Sequence, residues 1–184
     1  MRGIIATLVL AAPITVFGAT NTVGLELGSG RTSGLDCPSP AFNGCVTQDD
    51  VYRVYYGILP AGERVGARIT HTELNDLPIT ETVDEIFSSP NIRSTIDDLS
   101  ATYSYPVAKW VSITGKGGIA RWEESRSAGV FFERAHHDGF SPALGLNIDF
   151  GDGWLRAGLS VDLYPSLGDA GNVRYYGAGV RFVW

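Results

Sequence analysis

Apolar and polar residues alternate one by one along most of this chain, most regularly in Val173–Trp184. One face of that segment carries Tyr176, Ala178, Val180, Phe182 and Trp184, and the other carries Tyr175, Gly177, Gly179 and Arg181. Successive side chains of a β-strand point to opposite faces, so the segment is predicted to be a strand with one apolar face. A strand that reaches an aromatic last residue is expected to be built into a sheet.

Alternation divides the rest of the chain into further strands. The eight predicted segments are Thr22–Gly30, Val51–Leu59, Arg64–Leu74, Thr95–Tyr105, Lys109–Trp122, Ser141–Phe150, Trp154–Tyr164 and Val173–Trp184. The connections after the second, fourth and sixth are short, and they are Pro60–Glu63, Pro106–Ala108 and Gly151–Gly153. The remaining connections are longer, and they are Arg31–Asp50, Asn75–Ser94, Glu123–Phe140 and Pro165–Asn172. Short turns at one end and long loops at the other are typical of outer-membrane barrels, so we predict an all-β, eight-stranded, antiparallel, up-and-down transmembrane β-barrel.

The strands of a membrane barrel, a soluble sandwich and a lipocalin-like barrel all alternate apolar and polar residues. The amount and position of charge on the polar faces must therefore distinguish them. With the apolar faces outward, five basic and four acidic residues point inward, and they are Glu26, Arg53, Arg68, Asp98, Lys116, Asp149, Arg156, Asp162 and Arg181. The opposite faces form an uncharged stripe that suits lipid, and lipid forces the sheet to close, because unpaired backbone groups are costly there. We therefore expect the inward charges to pair with one another, whereas a soluble barrel would present them to water.

The first residues are typical of a secretory leader. Met1 and Arg2 form a short basic region, Ile4–Ala12 is apolar, and cleavage after Gly18 leaves small residues at the site. A transmembrane helix is the alternative, but the apolar run is much shorter than the roughly 20 residues that span a bilayer. We predict a signal peptide over residues 1–18 and a barrel domain over residues 19–184.

Composition narrows the remaining classes. A formal net charge of −6 and the lack of a basic stripe argue against nucleic-acid binding. Cys37 and Cys45 are the only cysteines, and in an exported chain they are expected to form a disulfide that closes one loop. A metal site is the alternative, but it lacks suitably spaced partners. No cofactor is expected.

Several segments resemble the N-terminal transmembrane barrel of the OmpA family. The residues that carry the resemblance are Leu99–Val107 with Ile113–Ala120, Ser141–Leu146 with Leu155–Leu159, and Tyr176–Trp184. Lys116 and Arg156 match inward basic positions of that family, whereas Thr102 stands where some members carry an inward lysine. The sequence has no counterpart of the peptidoglycan-binding domain, so no wall anchoring is expected.

The resemblance implies a monomeric, non-enzymatic protein of the bacterial outer membrane, in contact with its lipid and lipopolysaccharide. It also implies a last strand recognised by the barrel-assembly machinery, through Tyr176, Val180, Phe182 and Trp184. The long loops are candidates for binding a surface partner, since loops on a rigid frame often carry function. In the second loop, an acidic segment surrounds Ile86 and Phe87, with Glu81, Asp84, Glu85, Asp97 and Asp98.

Two other functions stay open. A small gated pore needs inward ion pairs that can exchange partners. A lipid A-modifying enzyme needs a base beside a nucleophile, and His136, His137 and Asp138 lie near Ser141 in the sequence. Polar residues are expected in a long loop anyway, and Ser141 precedes Pro142 at a strand start, so the polar loop is the favoured interpretation.

Overall fold

The barrel is closed and consists of antiparallel strands only. A computed structural model describes residues 18–33, 47–75, 91–127, 135–165 and 172–184. The strands are β1 (Ala19–Ser33), β2 (Thr47–Pro60), β3 (Val65–Asn75), β4 (Asn91–Ala108), β5 (Val111–Ser127), β6 (Ala135–Phe150), β7 (Leu155–Pro165) and β8 (Asn172–Val183). Each strand pairs with its neighbours in the sequence, and β8 pairs with β1. The predicted eight-stranded, up-and-down antiparallel barrel is confirmed.

Among the described residues, no helix is long and apolar enough to cross a membrane. The three tight turns, at residues 61–64, 109–110 and 151–154, all lie at one end of the barrel, which we call the turn end. The opposite end, where the strands lead into residues 34–46, 76–90, 128–134 and 166–171, is called the loop end.

The strands continue further toward the loop end than alternation predicted. Strand β4 begins at Asn91 and its partner β5 continues to Ser127, and these two residues are still in register. The backbone supplies the hydrogen bonds of a sheet, so polar side chains do not end a strand. The placement of Asp97 and Asp98 in the second loop was therefore wrong, because both lie within β4, as the predicted strand Thr95–Tyr105 already had them.

The second tight turn also differs from its prediction. Pro106–Ala108 was predicted to be the turn, but these residues belong to β4, and Lys109 and Trp110 make the turn. The β4–β5 register shifts between Pro106 and Ala108. Proline lacks a backbone N–H group, and a bulge is one of the few places in a sheet that tolerates it. The proline signal thus marked a bulge beside the turn.

Some predicted features fall outside the described residues. Residues 1–17, which hold most of the predicted signal peptide, lie outside them, as do Cys37 and Cys45. The leader and the disulfide therefore stay predictions. The acidic residues Glu81, Asp84 and Glu85 also lie outside the described ranges.

The barrel is polar inside and apolar outside. Among the described residues, sixteen polar or charged side chains are buried, against ten hydrophobic ones. Large apolar side chains are exposed on all eight strands, for example Leu25, Val54, Ile69, Leu99, Ile119, Leu144, Leu159 and Val180. A water-soluble domain buries its apolar residues and exposes its charges, so this distribution is the reverse of a soluble core.

Candidate functional site in the barrel interior

The interior is divided into three layers along the barrel axis. An apolar layer lies at the loop end and consists of Val51, Leu74, Ile96, Ala120, Trp122, Ala143, Tyr164, Val173 and Tyr175. The charged residues below it form two groups. The central cluster is Glu26, Arg53, Asp98, Lys116 and Asp162, and the turn-end cluster is Arg68, Asp149, Arg156 and Arg181.

Arg53 makes the largest number of contacts in the central cluster. Its Nη1 donates to a carboxylate oxygen of Asp162 and lies 3.4 Å from Oε2 of Glu26. Its Nη2 donates to the Tyr164 hydroxyl at 2.9 Å, and its Nε donates to the Thr72 hydroxyl at 3.0 Å. The side chains of Arg53 and Asp162 are 2% and 0% exposed, so this ion pair is shielded from water. Such a pair is favourable in the interior when the remaining donors and acceptors are also bonded. All three nitrogens of the Arg53 guanidinium are bonded, whereas Oδ1 of Asp162 has no hydrogen-bond partner.

Lys116 joins the other carboxylates to this network. Its Nζ lies 3.0 Å from Oδ2 of Asp98 and 2.9 Å from Oδ2 of Asp162. The Tyr164 hydroxyl donates to the same Asp98 oxygen at 3.0 Å, and the Ser100 hydroxyl donates to Oδ1 at 2.7 Å. Asp162 is thus shared between Lys116 and Arg53.

Two tyrosines that were not among the predicted site residues complete the interior, although alternation had already placed Tyr175 on the same face as Arg181. The Arg53 guanidinium lies over the Tyr175 ring, with Cζ 3.5 Å from the ring centre. The Tyr175 hydroxyl donates to Oε2 of Glu26 at 3.4 Å. The Arg68 guanidinium lies 4.3 Å from the centre of the Tyr55 ring. Alternation could have identified these rings, because each tyrosine lies an even number of residues from an inward charge on its own strand.

Inward glycines provide the space that these side chains occupy. A Cβ atom added to Gly24 would overlap the Tyr55 ring. One added to Gly145 would overlap the carboxylate of Asp162 and approach Cε of Lys116 to 2.7 Å. Small residues at these positions let long charged and aromatic side chains cross a narrow barrel.

The turn-end cluster is more open and contains fewer carboxylates. The Arg181 Nη1 donates to Oδ2 of Asp149, which also accepts from the Ser112 hydroxyl at 3.4 Å. Arg68 donates to the Asn147 side chain when the amide oxygen faces it, 3.3 Å from Nη2. Arg156 is partly exposed and donates from Nε to the Gly153 carbonyl at 3.3 Å.

The outer surface has an uncharged band between two edges. The outward positions of β4 from Leu99 to Val107 carry no charge. At about 3.4 Å per residue and a tilt near 40°, this stretch rises about 20 Å. Toward the loop end, the outward residues on the neighbouring strands become His71, Asp97 and Arg121. The Nδ1 atom of His71 lies 2.6 Å from Oδ1 of Asp97.

Aromatic residues lie at the turn-end edge of the band. Trp110 and Phe150 have ring centres 6.5 Å apart, and Trp154 stacks on Phe182 with ring centres 5.9 Å apart. The residues of the predicted C-terminal signal all face outward and are exposed, and they are Tyr176, Val180, Phe182 and Trp184. Aromatic belts of this kind are typical of the boundary between hydrocarbon and water.

The residues considered for enzymatic chemistry do not form a described catalytic site. Ser141 is buried, and its hydroxyl donates to the backbone carbonyls of Pro165 and Pro142. The backbone of His136 and His137 belongs to β6, but their side chains lie outside what the structure describes.

These features define the class of the fold, an eight-stranded barrel of the outer-membrane type. Ail of Yersinia pestis, solved with the heparin analogue sucrose octasulfate, has a TM-score of 0.58 at 15% identity over 90% of this chain and 97% of that chain. The N-terminal barrel domain of Pseudomonas aeruginosa OprF has a TM-score of 0.59 at 14% identity, covering 90% and 99%. Neisserial surface protein A has a TM-score of 0.58 at 13% identity, covering 90% and 96%.

At such identities the likeness concerns the fold, and at that level the resemblance to OmpA-like barrels is confirmed. No protein-family model and no curated protein matches the chain.

Proposed function

We propose that this protein is a non-enzymatic barrel of the bacterial outer membrane, which holds long surface loops on a rigid frame. The observation that carries the proposal is the exposed apolar band on all eight strands around an interior of paired charges. In water this surface would be an aggregation hazard, whereas in a bilayer it contacts hydrocarbon and outer-membrane lipid. The belt of aromatics at the turn end and the charges beyond Ile69 and Leu99 fit the two edges of such a bilayer.

The closed sheet supports a monomer, since β1 and β8 already satisfy each other and leave no free edge for a second copy. In the proposed orientation the turn end faces the periplasm and the loop end faces outward. The loops then contact lipopolysaccharide and a surface partner, and the barrel-assembly machinery recognises the outward residues of β8. Ail, which shares the fold, has been solved with a sulfated sugar, and an anionic surface partner is one candidate to test for this chain.

The membrane proposal is tested by two properties of the intact protein. A folded membrane barrel is expected to migrate faster on a gel before boiling than after it, and to need detergent for extraction. Trypsin added to whole cells is expected to cut only within the long loops, and permeabilised cells supply the control for periplasmic cleavage. A chain that is extracted in buffer without detergent, with one mobility before and after boiling, would contradict the proposal.

The absence of enzymatic activity is tested separately. The Ser141 hydroxyl already donates to backbone carbonyls, which does not suit a nucleophile activated by a base. Cells that express the wild type, His137→Ala or Ser141→Ala are expected to contain the same lipid A species by mass spectrometry. A lipid A change that depends on either residue would establish an enzyme instead.

A small gated pore is the second candidate, because Asp162 contacts both Arg53 and Lys116 and its ion pairs can therefore rearrange. Two cations that contact one carboxylate can exchange it for Asp98 or Glu26 with little movement. Conduction also requires the apolar layer at the loop end to open. In planar bilayers the wild type is expected to be mostly closed, and Lys116→Gln is expected to change its open probability. If neither the purified wild type nor the variant conducts ions, the pore is rejected and the structural function is the one that stands.

A further inference from the structure

A small cavity lies inside the barrel at the turn end. Its volume is about 80 Å³, and the charged side chains that line it are Arg68, Asp149, Arg156 and Arg181. A single ordered water needs about 10–15 Å³ on the same measure, so the cavity has room for a polyatomic ion. Arg156 is only partly buried, which leaves a route for solvent ions from the turn end.

The charges in this cavity do not balance. Three guanidinium groups and one carboxylate line it, which gives a net charge of +2. All three arginines act electrostatically on Asp149, so they are close enough to act on a common ion. Arginine stays protonated in proteins, so deprotonation cannot relieve this excess.

One guanidinium donor also lacks a partner. Arg181 is 5% exposed and its Nη1 is bonded to Asp149, but its Nη2 has no hydrogen-bond partner. A Cβ added to Gly158 would lie 2.9 Å from this nitrogen, so the missing side chain at Gly158 makes the room that Arg181 occupies. The same Cβ would lie 3.3 Å from Oδ1 of Asp149, which also has no hydrogen-bond partner. A buried, charged donor without an acceptor is costly, which favours an external acceptor at this point.

We propose that the turn-end cluster binds a small inorganic oxyanion such as phosphate or sulfate. The forked guanidinium group matches the oxygens of an oxyanion better than it matches a single-atom ion. In the bound state one oxygen accepts from Nη2 of Arg181, and the charges of Arg68 and Arg156 stabilise the others. Asp149 holds Arg181 in place and limits the affinity by repulsion.

Calorimetric titration tests this site. Inorganic phosphate is added to the full-length folded protein in detergent at constant ionic strength. Wild type is expected to show saturable binding. Arg156→Gln is expected to weaken it about tenfold or more, the loss of one charge-assisted hydrogen bond. The matched control is Arg64→Gln, which removes the same charge from an exposed position at the same end and is expected to leave binding unchanged.

The variant Asp149→Asn provides a readout that general destabilisation cannot imitate. It removes the only carboxylate among the described residues that line the cavity and is expected to strengthen phosphate binding several-fold. Heat-modifiable migration checks that each variant is folded, and if Asp149→Asn does not fold, the comparison of Arg156→Gln with Arg64→Gln decides. The proposal is overturned if wild type shows no saturable binding, or if Arg156→Gln and Arg64→Gln bind phosphate equally.

Discussion

The central and turn-end clusters lie in the same narrow barrel but handle buried charge differently. In the central cluster, three carboxylates and two cations bond to one another and to hydroxyl groups. In the turn-end cluster, three arginines share one carboxylate, and a cavity lies between them. The central layer is sealed by the apolar layer above it, so its neutralising partners must be internal. The turn-end layer borders solvent, so its neutralising partner can come from outside.

The interior charges nearly balance over the whole barrel but are distributed unevenly along its axis. Five basic and four acidic residues are nearly neutral together. Separated by height, they become a net charge of −1 in the central cluster and +2 in the turn-end cluster, counted over the cluster members. The same type of substitution is therefore expected to change the stability of the barrel differently in the two clusters.

The largest change in the free energy of unfolding is expected from Arg53→Met, in the central cluster. It leaves Glu26 and Asp162 buried with fewer donors, and removal of one partner from a buried ion pair costs about 3–5 kcal/mol of unfolding free energy. Urea unfolding in detergent, followed by tryptophan fluorescence, measures this loss. The exposed Arg174→Met is the matched control and is expected to change little. Equal losses in both variants would show that the central network adds no stability.

A smaller loss is expected from Gly145→Ala, which tests the space in the central cluster. The new methyl group would press against Asp162 and Lys116, and overpacking of this kind costs about 1–3 kcal/mol. Gly115→Ala is the control, because nothing lies within 4 Å of its added Cβ. The same unfolding experiment is expected to separate the two alanines, and an unchanged Gly145→Ala would mean that the network shifts without cost.

The same arginine-to-methionine change in the turn-end cluster is expected to have the opposite sign. Arg156→Met removes one of three neighbouring positive charges, so in buffer without oxyanions it should stabilise the barrel by about 0.5–1 kcal/mol. The gain should shrink in high salt, because the mouth of the cavity borders solvent. A loss as large as that of Arg53→Met would remove the distinction between the two layers.

The smallest effect is expected outside the barrel. Asp97→Ala breaks the contact with His71, but the two side chains are 60% and 47% exposed, and exposed pairs are worth about 0.2–1 kcal/mol. Unfolding in low and high salt measures the change, which should nearly vanish in high salt. A loss comparable to that of Gly145→Ala would show that this pair is shielded in the lipid environment.

Alternation predicted the number and order of the strands, but neither their ends at the loop end nor the height of a residue along the barrel. Arg53 and Asp162 fall on the inward faces of their strands, yet their contact spans 109 residues of sequence and depends on the register of every strand between them. For this reason the division into two charged layers could not be predicted. Neither could the sharing of Asp162 between Arg53 and Lys116.

Turn chemistry was a weaker guide than alternation. Pro106 marked a bulge that begins three residues before the true turn at Lys109 and Trp110, because proline is compatible with both a bulge and a turn. Strand ends were also misplaced at the loop end, where β4 begins at Asn91 instead of Thr95 and its polar residues still have paired backbones. Polarity indicates where the lipid band ends, and the hydrogen-bond ladder continues beyond that point.

The seam between β1 and β8 has a consequence for how the molecule is made. It joins the first strand to the last along a register from Thr22 and Val183 to Ser33 and Asn172. The ring therefore closes only when β8 pairs with β1, and because these strands lie far apart in the sequence, loop closure makes this pairing a slow, late step of folding. Without β8 the sheet could not close, and β7 and β1 would each be left with an unpaired edge.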